Sequence, residues 1–152
     1  MSSLRAGARA IRLYVYDSKL HAWSIKLVSL DQHQQLQQPE GCFLHFNSKV
    51  IPIGEAGTMA FVDLWRCILL WDALTGNPKL RYATLPPPIL PGWESRGDAR
   101  LSRDIAVVYG RIKYAELQIN WKPVLTKNHR YTFDGWTARA WSRPAMAAAD
   151  SS

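Results

Sequence analysis

The sequence predicts an all-β protein that folds as an antiparallel meander of small sheets. Nearly every apolar segment is short, rich in Val, Ile, Tyr and Trp, and bounded by turn residues, which is typical of strands. No long segment keeps apolar residues at helical spacing between a cap and a stop. With 152 residues, 47% of them hydrophobic, the chain is long enough to bury one core.

Nine segments carry the strand signal, and Val50–Ile53 carries the weakest one. Turn residues separate the segments, among them Asp17-Ser18, Tyr109-Gly110 and Asp134-Gly135. In chain order the predicted strands are Ile11–Tyr16, Ala22–Leu30, Val50–Ile53, Met59–Leu64, Cys67–Trp71, Lys79–Thr84, Ile105–Tyr109, Arg111–Gln118 and Trp136–Trp141.

An aromatic residue followed by aspartate occurs three times, and a second aromatic residue follows each pair. These second aromatics, Trp23, Tyr82 and Trp141, are separated by 59 and 59 residues. Repeats of about 40–60 residues made of short antiparallel strands are typical of propeller blades, which bury their faces by stacking. The sequence therefore predicts two to three blades of an incomplete β-propeller, with these rings between the sheets. The aspartates are expected to accept backbone hydrogen bonds at strand ends: Asp17, Asp72 and Asp134.

The predicted domain, a partial β-propeller, spans residues 12–143. A flexible segment at residues 1–11 precedes it, and a disordered tail at residues 144–152 follows it. Two long connections are expected inside the domain, the glutamine-rich Asp31–Gly41 and the proline-rich Leu85–Arg103. We interpret the second as a stiff connector, because its Pro-x-x-Pro spacing lacks the flanking basic residue of a typical ligand.

Four stretches carry a family resemblance: LYVYDSKLHAWS, GTMAFVDLWRCILLWDALTGNPKLRYATLPPP, RDIAVVYGRIKYAEL and DGWTARAWSR. Over residues 12–143 they resemble the plant domain family of unknown function number 1618 (DUF1618). The resemblance implies a likeness to the β-propeller domains that follow F-box motifs in plant proteins. It implies no established molecular function.

The chain departs from the family pattern at two positions and in length. Cys67 stands where the family tends to have Gly, which predicts strain if the turn at Trp65-Arg66-Cys67 needs a positive φ. Trp71 stands where a smaller residue is usual, which predicts different packing. The chain is also shorter than typical members, which predicts a truncated or fragmentary member, or one that closes its open stack by self-association.

The net charge of +7 is unevenly spread. The segment up to Ser95 has nine Lys/Arg and seven Asp/Glu, whereas the segment from Arg96 has ten and five. The two cysteines make no disulfide framework, and no apolar run approaches the roughly 18 residues of a membrane span. We therefore expect an intracellular protein of the cytoplasm or nucleus, with no membrane partner.

No motif for catalysis or for cofactor or metal binding emerges. Cys42-Phe43-Leu44-His45 has the spacing of half a zinc site, but neither Cys67 nor His129 supplies a second half. We expect no enzyme, no catalytic residue, no cofactor and no metal. Three aspartates near strand ends are interpreted as caps of backbone amides rather than as catalytic carboxylates: Asp63, Asp72 and Asp104.

Two functions of different classes fit these observations. The first is a non-enzymatic module that binds another protein, with self-association through open blade edges as a related outcome. The alternative is a nucleic-acid-binding protein that uses the basic half from Arg96 to Arg143. The first is favoured because the basic residues are scattered singly and no RNA or zinc-finger signature is present.

Overall fold

The computed structural model describes residues 10–30, 45–55, 57–91, 97–124 and 130–145. These residues form nine strands and a turn of 3-10 helix at Ala99–Leu101. In chain order the strands are β1 (Ile11–Asp17), β2 (Ala22–Leu30), β3 (Lys49–Ile53), β4 (Thr58–Asp63), β5 (Cys67–Asp72), β6 (Lys79–Thr84), β7 (Arg103–Val108), β8 (Arg111–Val124) and β9 (Arg130–Pro144). The predicted all-β antiparallel meander is confirmed.

The strands form three groups. Strands β3 to β6 make a central sheet in which each strand pairs antiparallel with the next. Strands β1 and β2 make a hairpin, which joins the edge of the central sheet only through the parallel pairs Ser29–Lys79 and Leu30–Leu80. Strands β7 to β9 make a separate three-stranded meander.

The three groups stack as layers with the central sheet in the middle. Successive side chains of a strand point to opposite faces, so every residue of β5 from Cys67 to Trp71 is buried by one layer or the other. The interface with the three-stranded sheet buries Ile53, Ala60, Val62, Leu64, Ile68, Leu70, Ala83, Leu85, Ala99, Ile105, Ile112, Tyr114 and Ala145. The interface with the hairpin buries Val28, Leu30, Leu69, Trp71 and Leu80.

The three repeated aromatic residues do not share one environment. Tyr82 packs at the hairpin interface and Trp141 packs at the interface with the three-stranded sheet. Trp23 is 71% exposed, and its ring lies beside Tyr16 on the outer side of the hairpin. The prediction was wrong for Trp23, because its cross-strand pair with Tyr16 points away from the side that buries Val28.

The three repeated aspartates also differ. Asp17 accepts the N–H groups of Lys19 and Leu20 through Oδ1, as predicted. Asp72 instead accepts the Thr58 hydroxyl and the Arg81 guanidinium, so its predicted capping role was wrong.

Asp134 ends no strand, and the predicted turn at Asp134-Gly135 was wrong. β9 runs through both residues, and Asp134 is the extra residue of a bulge between the pairs Asn120–Gly135 and Trp121–Phe133. Gly135 adopts φ 113° there, a conformation that glycine reaches without steric cost.

The turn at Trp65-Arg66-Cys67 does not place Cys67 at a positive φ, so the condition under which strain was expected there is not met. Cys67 begins β5 opposite Asp63 and is not among the described residues with positive φ. Trp71 fills space at the hairpin interface, where its Nε1 donates to the Asn77 carbonyl at 3.0 Å.

Several predictions concern segments outside the described residues. These segments include residues 1–9, the whole glutamine-rich connection, residues 92–96 of the proline-rich connection, and residues 146–152. The predicted domain spans residues 12–143. In the structure β1 begins at Ile11 and β9 ends at Pro144, one residue outside each predicted limit. The next residue, Ala145, is buried and donates its N–H to the Gly110 carbonyl at 2.9 Å.

Candidate interaction surface

From Glu116 to Trp121, strand β8 places polar side chains toward the core and apolar side chains toward the outside, whereas Ile112 and Tyr114 nearer its start face the core. Glu116 and Gln118 are buried on the inner side. Leu117, Ile119 and Trp121 point the other way and are 47%, 43% and 58% exposed. This reverses the usual pattern of a sheet with one face on the core. The outer face of the three-stranded sheet is therefore the candidate site.

The buried Glu116 is held by three donors. Its Oε2 accepts from Arg103 and from the Tyr114 hydroxyl, each at 3.1 Å, and its Oε1 accepts the Ile89 N–H at 2.9 Å. Burial raises the pKa of the Tyr114 phenol, which keeps this group a donor. A buried carboxylate is tolerated only when it is paired and hydrogen-bonded in this way.

Arg103 connects the three-stranded sheet to two other parts of the chain. Its buried guanidinium donates to the Leu64 carbonyl at 2.8 Å and to the Pro86 carbonyl at 3.4 Å. Its Cζ lies 4.9 Å from the Trp65 ring centroid and 5.4 Å from that of Tyr114. The β4–β5 turn, the proline-rich connector and the sheet are therefore fixed relative to one another.

Strand β9 continues the outer apolar face. Phe133 pairs with Trp121, their ring centroids lie 6.2 Å apart in an edge-on arrangement, and Trp136 pairs with Ile119. The same face carries small side chains between these bulky residues and Lys113, which lies near the start of β8. We name this surface the groove face and define it by Leu117, Ile119, Trp121, Phe133 and Trp136 with the floor residues Ala106, Ala115, Ala138 and Ala140.

Shallow depressions adjoin one another along the groove face, with volumes of about 440, 380 and 190 Å³. The first two share Ala115 and Ala140, and the second and third share Leu101 and Leu117. The first two are open because an alanine leaves space that a larger side chain would fill. The face can therefore receive protruding side chains from another surface.

A second exposed apolar face lies at the opposite end of the stack, on the outer side of the hairpin. The pairs Tyr14–Ile25 and Tyr16–Trp23 and the neighbouring Leu27 all point outward and are exposed. The Tyr16 and Trp23 ring centroids are 5.2 Å apart. We name these five residues the hairpin face. Unlike the groove face, it consists of bulky side chains throughout.

Among the described residues of the C-terminal half, the basic side chains do not form one continuous patch. Arg103 is buried, and Arg139 donates to the Pro87 carbonyl on the inner side of the sheet. Others are engaged by neighbours: Arg100 by Asp98, Arg111 by Ser142, Lys122 by Asp134, and Arg143 by the Trp141 ring.

Asp63 and Asp104 cap backbone amides, as the sequence predicts. The buried Asp63 accepts the N–H groups of Phe46 and Trp65, each at 3.0 Å, and the Arg66 guanidinium at 3.2 Å. Asp104 accepts the Ile105 N–H at 2.8 Å and the Lys49 ammonium at 2.9 Å, and the bond from Lys49 lowers the pKa of Asp104.

Cys67 and His45 lie together, although sequence analysis did not connect them across 22 residues. His45 Nδ1 is 3.4 Å from Cys67 Sγ, and His45 Nε2 is 3.2 Å from Asn47 Oδ1. A thiol, an imidazole and an orienting amide in this order occur in thiol hydrolases. Here, however, burial and the nearby Asp63 raise the pKa of Cys67 to about 12, and burial lowers the pKa of His45. Both groups are neutral near pH 7, so no thiolate is available as a nucleophile.

Cys42, His33 and His129 lie outside the described residues. Within the described residues, no three His, Cys, Asp or Glu side chains cluster as a metal site requires. The described part of the chain contains no helix with the length and apolarity needed to cross a membrane.

The protonated Cys67 thiol is expected to make stability fall at alkaline pH. The thiol pKa is 9.0 in the unfolded chain and about 12 in the fold, so the folded state holds more protons between these values. The free energy of unfolding should therefore decrease as pH rises above about 9. In a Cys67→Ala variant this decrease should flatten between about pH 9 and 10, below the range where tyrosines titrate. Urea unfolding at a series of pH values measures the free energy of unfolding. If this free energy falls with pH as steeply in Cys67→Ala as in the wild-type protein, the raised pKa of Cys67 is contradicted.

Comparison with known proteins adds one match. Residues 61–151 match the family described as "Protein of unknown function (DUF1618)". No curated protein and no solved structure matches the chain. The matched region covers more than half of the sequence and includes Arg103, Glu116 and the whole groove face. The chain therefore belongs to the DUF1618 family, as the sequence predicts.

Proposed function

We propose that this protein is a non-enzymatic protein-interaction module whose groove face binds another polypeptide. The reversed pattern of β8 carries the proposal, because polar Glu116 and Gln118 are buried while Leu117, Ile119 and Trp121 face outward. A contiguous exposed apolar patch of this kind is typical of a protein contact site.

A partner that covers the groove face is expected to gain a large binding free energy from the burial of apolar side chains. Burying one Leu, Ile or Phe side chain contributes about 1.5–3 kcal/mol. Tryptophan side chains in central, water-excluded positions are often the residues that dominate binding energy. Trp121 lines the third depression, and Trp136 pairs with Ile119, which lines it too, so a partner's side chains can surround both rings.

The chemistry of the described titratable residues supports a non-enzymatic role. The Cys67–His45 pair is neutral, and the carboxylates of Asp63 and Asp104 are used by backbone amides. The buried free thiol of Cys67 fits a reducing compartment, so we place the protein in the cytoplasm or nucleus.

Nucleic-acid binding is the second candidate, and one observation favours it. Exposed rings on a sheet face, such as Trp121, Phe133 and Trp136, act as stacking platforms for bases in single-strand binders. Such platforms lie in positively charged grooves. The residues that define the groove face are uncharged, and the two charged residues that line its first depression, Asp104 and Lys113, have opposite signs, which favours a polypeptide.

A Trp136→Glu variant is expected to lose at least about tenfold in partner capture, since a charge in an apolar contact costs about 1.4 kcal/mol or more. The tagged protein and the variant are used to capture partners from an extract of the source at about 0.1 M and 0.5 M salt. Capture that is lost in the variant and persists at high salt supports the proposal.

The matched control is Tyr109→Glu, which places the same charge on a fully exposed turn residue away from the groove face. Equal capture by Trp136→Glu and Tyr109→Glu would contradict the proposed site. Retention of RNA or DNA that falls steeply with salt would instead support the nucleic-acid alternative.

A further inference from the structure

We infer that the polypeptide bound at the groove face is an extended segment that adds as a further strand to the outer edge of β9, with apolar and acidic residues alternating along it. This inference rests on the proposed function, because it names the class of partner for the same surface. The outer edge of β9 borders the groove face, since Trp136, Ala138 and Ala140 belong to both.

The outer edge of β9 has no partner strand among the described residues. The order of the three-stranded sheet is β7-β8-β9, so β9 pairs on one side, with β8. β9 is 15 residues long, whereas exposed edge strands in native proteins are usually kept short. From Trp136 to Arg143 its pairing with β8 is regular, and this part of the strand contains no proline. Such an edge is a template for another strand.

The hydrogen bonds of β8 show which residues of β9 direct their backbone groups to the open edge. Leu117 donates its N–H to the Ser102 carbonyl at 2.8 Å, so its backbone groups point away from β9. Ala138 lies directly opposite Leu117. Two opposite residues of an antiparallel pair point either toward each other or apart. The backbone groups of Ala138 therefore point away from β8, and the alternation extends this to Trp136 and Ala140.

The opposite edge of the same sheet is protected. Lys49 of β3 donates its ammonium to the Ile105 carbonyl of β7 and pairs with Asp104, each at 2.9 Å. A lysine on an edge is one of the devices by which proteins block the addition of a strand. Within the described part of the chain, the outward backbone groups of Ala138 and Ala140 have no such partner.

The side chains beside the open edge define the apolar half of the partner's pattern. Trp136, Ala138 and Ala140 face the outside of the sheet, so partner residues opposite them face the same side. Depressions of about 440 and 380 Å³ adjoin one another at Ala140. Large apolar side chains at these partner positions can lean over the alanines into the depressions.

Arg139 and Arg143 define the other half of the pattern, because they lie on the inner side of β9. Arg139 is exposed and donates to the Pro87 carbonyl at 3.0 Å, and the Arg143 Cζ lies 5.9 Å from the Trp141 ring centroid. Neither guanidinium pairs with a carboxylate of the described residues. Opposite charges directly across an antiparallel pair attract, so the intervening partner residues are acidic. A second copy of β9 would instead bring further arginines.

A synthetic peptide of about ten residues in which Val and Glu alternate is the probe. Its dissociation constant for the purified full chain at about 0.1 M salt is expected to be on the order of 100 μM, because one added strand makes a small contact. A peptide in which Lys replaces every Glu should bind at least about fivefold more weakly. Titration followed by NMR measures both constants.

Amide hydrogen exchange identifies the mode of binding. In the free protein the N–H groups of Ala138 and Ala140 should exchange fast, whereas those of Arg139 and Trp141, which point to β8, should exchange slowly. The Val–Glu peptide at about ten times its dissociation constant should slow exchange at Ala138 and Ala140 about tenfold. Protection at alternate residues distinguishes an added strand from a contact through side chains alone.

Ala140→Pro removes an outward N–H without removing a bond to β8, and proline is tolerated on an edge strand at such positions. This variant should bind the Val–Glu peptide at least about fivefold more weakly. Slow exchange at Arg139 checks that β9 still pairs with β8.

Arg139→Gln should weaken binding of the Val–Glu peptide about two- to fivefold, since one cross-strand charge pair is lost. Its matched control is Arg12→Gln, which removes the same charge from an exposed residue of β1 on the hairpin. Arg12→Gln should bind the peptide as the wild-type protein does.

Three outcomes overturn the inference: no binding of the Val–Glu peptide at about 1 mM, equal binding by the wild-type protein and Ala140→Pro, or unchanged exchange at Ala138 and Ala140 in the complex. Slow exchange at these amides in the protein alone that depends on protein concentration would also overturn it, because a second copy would then occupy the edge. The proposed function is judged separately. If Trp136→Glu abolishes capture from an extract and Ala140→Pro does not, the groove face binds its partner through side chains alone and the proposed function stands.

Discussion

Replacing Arg103 by alanine is expected to lower the free energy of unfolding by about 3–5 kcal/mol, the usual cost of breaking a buried ion pair from one side. The change leaves the buried Glu116 carboxylate without its cation and the Leu64 carbonyl without its donor. It also removes the guanidinium that lies between the Trp65 and Tyr114 rings. Urea unfolding followed by tryptophan fluorescence measures the loss.

Arg103→Lys is the matched variant, because it keeps the charge but lacks the planar fork that reaches several acceptors at once. We expect its loss of stability to lie between those of the wild-type protein and Arg103→Ala. Arg100→Ala is the control, since Arg100 is exposed and, within the described residues, bonds Asp98 in the same turn. A loss below about 1 kcal/mol in Arg103→Ala would contradict the role assigned to Arg103.

Replacing Asp63 by alanine is expected to cost about 2–4 kcal/mol. The buried carboxylate accepts the N–H groups of Phe46 and Trp65, and leaving a buried donor unpaired costs about 1–3 kcal/mol for each group. Arg66 loses its partner as well. The chain entering β3 and the β4–β5 turn should both loosen, which faster amide hydrogen exchange at Phe46 and Trp65 would detect.

Asp63→Asn keeps one acceptor oxygen and should lose less than Asp63→Ala. Asp134→Ala serves as the control, because that carboxylate is exposed at the bulge and its partner among the described residues is the exposed Lys122. If Asp63→Ala and Asp134→Ala unfold at the same urea concentration, the capping role of Asp63 is wrong.

The sequence predicts the strands well, because their signals are local. β-Branched and aromatic runs between Gly, Pro, Asn and Asp residues identify β2 and β6 with their observed ends. The end of β8 and both ends of β9 are missed for a physical reason. Asp134-Gly135 has the composition of a tight turn, but glycine at positive φ also serves a bulge, and only the pairing with β8 distinguishes the two.

The candidate site was harder to predict, because alternation reveals two faces but not which one meets the core. On β8 the apolar positions Leu117, Ile119 and Trp121 would be assigned to the core by pattern alone. Burial of Glu116 instead depends on Arg103, whose own partner Leu64 lies 39 residues away. Contacts at such separation leave no periodic signal. The same holds for His45 and Cys67.

Strand β5 is covered on both sides, and this has a consequence for how the protein melts. The three-stranded sheet packs on the side of β5 that carries Ile68 and Leu70, and the hairpin packs on the side that carries Leu69 and Trp71. Both layers therefore depend on one strand. We expect the described layers to unfold together, so that a substitution that destabilises the hairpin also destabilises the three-stranded sheet.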